Sequence, residues 1–213
     1  EEELAGEFRR YLWVDLCAIL PLVLPLGYFG GEFVVRRFLP AFGPGIAALK
    51  ISMMGVAVLA IRLLYYQVFM ARGRMGRLIV ITLVQVPVFV ALAWAFLRLP
   101  IHPLSAMAWA ALLAQGVHLL CTMVGVRPLL GRGGAGWRQW PGLDLACCLL
   151  WAGLLAGVDA AVDANPASLG WDLAVTGLKT ALFWLAALPV CYFGLGMDGQ
   201  ALARRLAGRL AGM

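Results

Sequence analysis

Charge is what this chain has least of. Only 13% of its 213 residues are Asp, Glu, Lys or Arg, about half the share of an ordinary soluble domain, while 63% are hydrophobic and the mean hydropathy is +0.89. Histidine occurs twice, and the five cysteines (Cys17, Cys121, Cys147, Cys148, Cys191) form no CxxC pair. They all lie in apolar stretches, which leaves no disulfide framework and no metal-ligand spacing and makes them small packing residues. No nucleophile stands beside a base, and the carboxylates Asp15, Glu32 and Asp144 are scattered without a DxxD or ExxH pairing. His102 and His118 fall at different depths, so they do not ligate one haem between helices. His118, alone on an apolar helix, reads as a hydrogen-bonded core residue. Catalysis, a cofactor and a metal are therefore not expected. A net charge of +6 suggests nucleic acid in a soluble protein, but the arginines here lie in the loops and nucleic acid is not expected as a partner.

What is present is a series of long apolar blocks bounded by Gly, Pro and Arg. They predict an all-α polytopic membrane protein with six transmembrane helices at about 11–36, 46–70, 78–98, 104–126, 143–162 and 171–195. Alternate connecting segments hold eleven arginines: Arg9, Arg10, Arg72, Arg74, Arg77, Arg127, Arg132, Arg138, Arg204, Arg205 and Arg209. The opposite segments hold Arg36, Arg37 and Arg98, and the last of them has only the acids Asp159, Asp163 and Asp172. By the positive-inside rule both termini are expected to be cytoplasmic.

The chain divides into an amphipathic lead-in (1–10), a four-helix membrane unit (11–126), a Gly/Arg-rich linker (127–142), a two-helix membrane unit (143–197) and a basic amphipathic tail (198–213). In the linker, Gly131, Gly133, Gly134 and Gly136 lack the Gly-Lys-Ser/Thr ending of a phosphate loop and read as a hinge. In the tail, Leu202, Leu206 and Leu210 recur every four residues, which suits a helix on the headgroups of membrane lipids. Gly27 with Gly31, and Gly153 with Gly157, give GxxxG spacings for close helix packing. Pro21 and Pro25 should bend the first helix. The sequence begins Glu1-Glu2-Glu3, with no initiator Met and no signal peptide, and is expected to be a piece of something longer.

Two cations stand deep inside apolar runs, Arg62 and Lys179. A cation at bilayer depth costs about 2.5 to 3.5 kcal/mol on insertion scales, so each needs a partner, a cavity or a function. Lys179 lies about 12 Å down its helix and leans outward, with Thr176 and Asp172 above it, so snorkelling competes with a functional role. Arg62 leans away from its nearer surface and shares a face with Gly55, Tyr66 and Phe69, expected to line a cavity. It is either buried with Asp15 or a carbonyl, or an anion site inside the bundle. Tyr65, Tyr66 and Gln67 are the neighbouring hydrogen-bonding candidates, and a lipid phosphate is the simplest ligand.

The stretch VVRRFLPAFGPGIAALKI (Val34 to Ile51), the small-basic turn Ala71-Arg72-Gly73-Arg74 and the helix opening Arg77-Leu78-Ile79-Val80-Ile81 resemble, in order, polysaccharide or lipid-linked oligosaccharide flippases of the multidrug/oligosaccharidyl-lipid/polysaccharide superfamily. The lead-in from Glu2-Glu3-Leu4 to Arg9-Arg10 and the ending Gly194-Leu195-Gly196-Met197-Asp198 add to the likeness, while the opening of the fourth helix, Leu104-Ser105-Ala106-Met107-Ala108, departs from it. The resemblance implies the last six helices of a two-lobed transporter of twelve to fourteen helices. It implies movement of an undecaprenyl-diphosphate-linked oligosaccharide across the bacterial inner membrane by alternating access. An anionic polyprenyl-diphosphate lipid would then meet Arg62 and Lys179, and a missing N-terminal half or partner subunit would complete the transporter. A second expectation, from a different class, is a non-catalytic six-helix subunit or scaffold whose buried cations pair internally.

Overall fold

The computed structural model describes residue 8 and residues 11–129, 140–162 and 168–210, with the side chains of 140–145 and 192–210 excepted. Apart from Phe8, the lead-in, most of the Gly/Arg linker, Asp144, Asp163 and the arginines and leucines of the tail thus lie outside the described residues or side chains. Helices account for nearly all of the described backbone: α1 (Tyr11–Phe38), α2 (Ile46–Ala71), α3 (Met75–Phe96), α4 (Pro103–Val126), α5 (Trp140–Ala161) and α6 (Leu169–Leu210). Five of them, α1 to α4 and α6, are long and apolar enough to cross a membrane, and α5 is apolar over Ala146–Ala161, the part whose side chains are described.

The predicted helices and the observed ones coincide closely, and the differences sit at the ends. A short 3₁₀ segment, Pro40–Gly45, feeds α2, and α3 begins at Met75, three residues ahead of expectation, straight after Gly73 at φ +62. Only glycine adopts that left-handed backbone without steric cost, which lets the chain reverse between α2 and α3 in a few residues. The final helix runs unbroken to Leu210, so the backbone after Asp198 continues α6.

α4 is the axis of the first unit and packs along both α2 and α3. Its buried face is built from Ala106, Ala110 and Ala114, then His118, Thr122 and Val126, small near one end and polar in the middle. α1 packs against α2, α5 and α6, and the shared core gathers Leu12, Leu16, Ile61, Phe69, Trp151, Leu155 and Phe183. Gly27 and Gly31 face α2 so closely that an added Cβ would stand 2.6 Å from Met53 Sδ and 3.0 Å from Leu49 Cδ2. That GxxxG pair therefore packs within the chain. Gly153 and Gly157 do not: an added Cβ on either meets nothing within 4 Å.

α1 is irregular for a reason its sequence supplies. It contains two π-turns, Asp15–Ile19 and Leu26–Gly30, around the α-helical Leu20–Pro25. In the first π-turn the amide of Leu20 donates to Asp15 O, five residues back. Pro21 would be next in that register but has no N–H, which leaves Leu16 O free; the Trp151 indole of α5 donates to it at 2.9 Å. Pro25, in α-register, leaves Pro21 O free, and the Trp184 indole of α6 donates there at 3.1 Å. Two prolines thus release two carbonyls, and two tryptophans use them to fasten α5 and α6 to α1.

Candidate functional site

The α2 face bearing Gly55, Arg62, Tyr66 and Phe69 is packed against α4. Glycine at 55 leaves room for Gln115, whose Oε1 would stand 3.1 Å from an added Cβ, and Phe69 is fully buried with Gly125 beside its ring edge. Small residues on both helices close the gap that the sequence alone leaves open.

At the middle of that interface lies a polar cluster. Arg62 Nη1 donates to Gln85 Oε1 on α3 at 3.2 Å. An arginine only donates, so the Gln85 atom facing it is its oxygen, and that oxygen only accepts. His118 Nδ1, 2.5 Å from the same oxygen, therefore carries the proton, and His118 Nε2 accepts from the Tyr66 hydroxyl at 2.7 Å. The sequence reading of His118 as a hydrogen-bonded core residue holds: it is 2% exposed, and its carbonyl accepts from Thr122 Oγ1. The guanidinium also lies 5.5 Å from the Tyr66 ring centroid, within range of the ring quadrupole.

Arg62 does not pair with Asp15. Its Nε is buried with no hydrogen-bond partner, as is Asp15 Oδ2, and Gln115 Oε1 is in the same condition. Among the described residues no carboxylate faces Arg62; its one hydrogen bond goes to a neutral amide.

The other four sequence candidates are dispersed around this cluster. Tyr66 belongs to it, whereas Tyr65 turns toward α1, buried and edge-on to Phe8 with ring centroids 5.1 Å apart. Gln67 is exposed on the far side of α2. Lys179 belongs to a second cluster, at the end of the bundle where α1 and α5 finish and α2 and α6 begin. Lys50 of that cluster is twelve residues before Arg62, or about 18 Å along α2.

In the second cluster Lys179 Nζ donates to Asp159 Oδ1 at 2.7 Å, and Lys50 Nζ reaches Asp159 Oδ2 and, at 2.7 Å, Glu32 Oε2. Arg36 pairs with Glu32, and Arg37 pairs with Asp172. Lys179 therefore does not take Asp172, as its place on α6 suggested; Arg37 holds that carboxylate, and α5 offers Asp159 instead. Among the described residues three carboxylates face four cations here. Asp159 lies in the last turn of α5, against the sense of the helix dipole, and the two lysines offset that cost. Tyr28 and Phe29 floor the site, with Lys50 5.3 Å and Lys179 5.9 Å from their ring centroids.

Sequence reasoning missed Gln85, Gln115, Lys50, Glu32 and Asp159 as parts of these clusters. The glutamines carried a usable signal, since an amide inside an apolar span needs a partner. Asp159 was masked by its position, which reads as loop. No protein-family model matches the chain, and no curated protein or solved structure matches it either.

Proposed function

We propose that this chain is a membrane-transport unit, part of a flippase that carries an undecaprenyl-diphosphate-linked oligosaccharide across the bacterial inner membrane by alternating access. In this reading all six helices span, both termini are cytoplasmic, and Arg62 recognises the anionic diphosphate. One contrast supports it: Arg36, Arg37, Lys50 and Lys179 each face a carboxylate, and Arg62 faces none among the described residues. A guanidinium held in an apolar bundle by one neutral amide has spare donors and uncompensated charge, the two properties that recognise a phosphate. Gln85, His118 and Tyr66 orient it without neutralising it. The flippase-like order of segments in the sequence is a separate support for the same reading.

The purified chain in detergent should be stabilised by an added polyprenyl diphosphate, and Arg62→Ala should remove most of the melting shift. An unchanged shift in that variant rejects Arg62 as the recognition residue. The second reading, a non-catalytic six-helix subunit of a larger complex, draws support from the internal pairing of Lys179. Under it Arg62→Met leaves lipid binding as it was, and a partner protein copurifies in mild detergent.

A further inference from the structure

Asp159 is held as a bound anion would be held. Each of its two carboxylate oxygens takes an ammonium from a different helix, Oδ1 from Lys179 on α6 and Oδ2 from Lys50 on α2. The two lysine side chains are 12% and 16% exposed, and the carboxylate between them 20%. An aromatic floor of Tyr28 and Phe29 lies beneath the ammonium groups. Beside Lys179 opens a cavity of ≈ 40 Å³ whose polar lining is Glu32, Arg36, Asp172, Thr176 and Lys179. Of the two lysines only Lys179 lines that cavity. An anion reaches both ammonium groups together by taking the place of the Asp159 carboxylate that they share.

We propose that Lys50 and Lys179 form a second anion site, for a phosphate or diphosphate group, and that Asp159 is its built-in competitor, displaced when the ligand binds. The lipid character of the ligand rests on the flippase reading above; the anion site itself does not. Among the described residues Asp159 is the ionic link from α5 to both α2 and α6, so displacing it removes that ionic tie at this end. The site then works as a latch released by its ligand.

The test uses the full chain in detergent at low ionic strength, with inorganic diphosphate and a polyprenyl diphosphate as separate probes, read by calorimetry. Asp159→Asn empties the site of its internal anion. It should lower the melting temperature of the unliganded protein and yet tighten inorganic diphosphate binding by about tenfold, the worth of one charge-assisted contact. Adding Lys179→Met should abolish that gain, and adding Arg62→Ala should leave it. A destabilised Asp159→Asn that binds diphosphate no more tightly overturns the proposal, as does a gain that vanishes with Arg62→Ala. If Asp159→Asn does not fold, single variants decide: inorganic diphosphate binding that survives Arg62→Ala and falls in Lys179→Met supports the site, and equal binding in Lys179→Met and the parent overturns it. Tight inorganic diphosphate with no response to the polyprenyl form supports the anion site and rejects the lipid reading alone.

Discussion

At the scale of the residue, the chain offers two solutions to a cation in an apolar interior. Lys179 is paired in full, with a carboxylate 2.7 Å away, whereas Arg62 is oriented by neutral groups and left charged. Tyr66 is the outermost of those groups and the simplest to probe. Tyr66→Phe removes the donor to His118 Nε2 and leaves a buried acceptor unpaired, which should lower stability by about 1–3 kcal/mol in denaturant or thermal unfolding. The same change should weaken anion stabilisation less than Arg62→Ala does, because it alters orientation and not charge. The sequence announced Arg62 and Lys179 through the rarity of charge in apolar runs. It did not announce their partners, since Gln85 reaches Arg62 from a helix 23 residues on and Asp159 reaches Lys179 from 20 residues before it. Depth along a helix is legible from counting; azimuth across a bundle requires knowing which helices are neighbours.

At the scale of the element, α1 depends on groups outside itself. The carbonyls released by Pro21 and Pro25 are satisfied by Trp151 and Trp184, and a buried carbonyl left unpaired costs about 1–3 kcal/mol. Trp151→Phe keeps most of the apolar volume and loses the indole donor, so it should destabilise by that amount, measured as a fall in melting temperature of the detergent-solubilised protein. Restoring the amide with Pro21→Ala should offset part of the loss in the double variant, because the helix then supplies its own donor. The α2–α4 contact makes a separate prediction: Gly125→Val places side-chain atoms where Ile81 Cδ1 and Phe69 Cζ already stand 2.9 Å and 3.0 Å from an added Cβ, and should cost about 1–3 kcal/mol through overpacking. That α1 would depart from a regular helix was legible from its prolines. The tryptophans that satisfy its released carbonyls were not, because nothing local marks an indole as the donor for a carbonyl more than a hundred residues earlier.

At the scale of the whole molecule, apolar blocks and their punctuation foretold an all-helical chain, and five helices are long and apolar enough to cross a bilayer. The position of α5 decides the topology. If α5 spans, the helix count is even and reporter fusions at the two ends of the chain should both report the cytoplasm, while a reporter placed between α5 and α6 reports the opposite side. Fusions that disagree between the two ends would leave α5 short of spanning and break the arginine pattern. The Gly153 and Gly157 face of α5 was expected to pack, yet among the described residues nothing stands within 4 Å of a Cβ added at either, a reminder that spacing shows what a helix permits and not what it meets.

The joints at Leu16 and Pro21 have a spectroscopic consequence. Both indole N–H groups that grip α1 belong to other helices, so any straightening of α1, or any release of α5 or α6, must break an indole hydrogen bond before it shows as a change in shape. With the other tryptophans replaced, Trp151 and Trp184 would each give one indole N–H resonance whose shift and exchange rate time the loosening of a single joint. The fold thus carries two internal clocks for its own motion, one at each carbonyl that the prolines of α1 release.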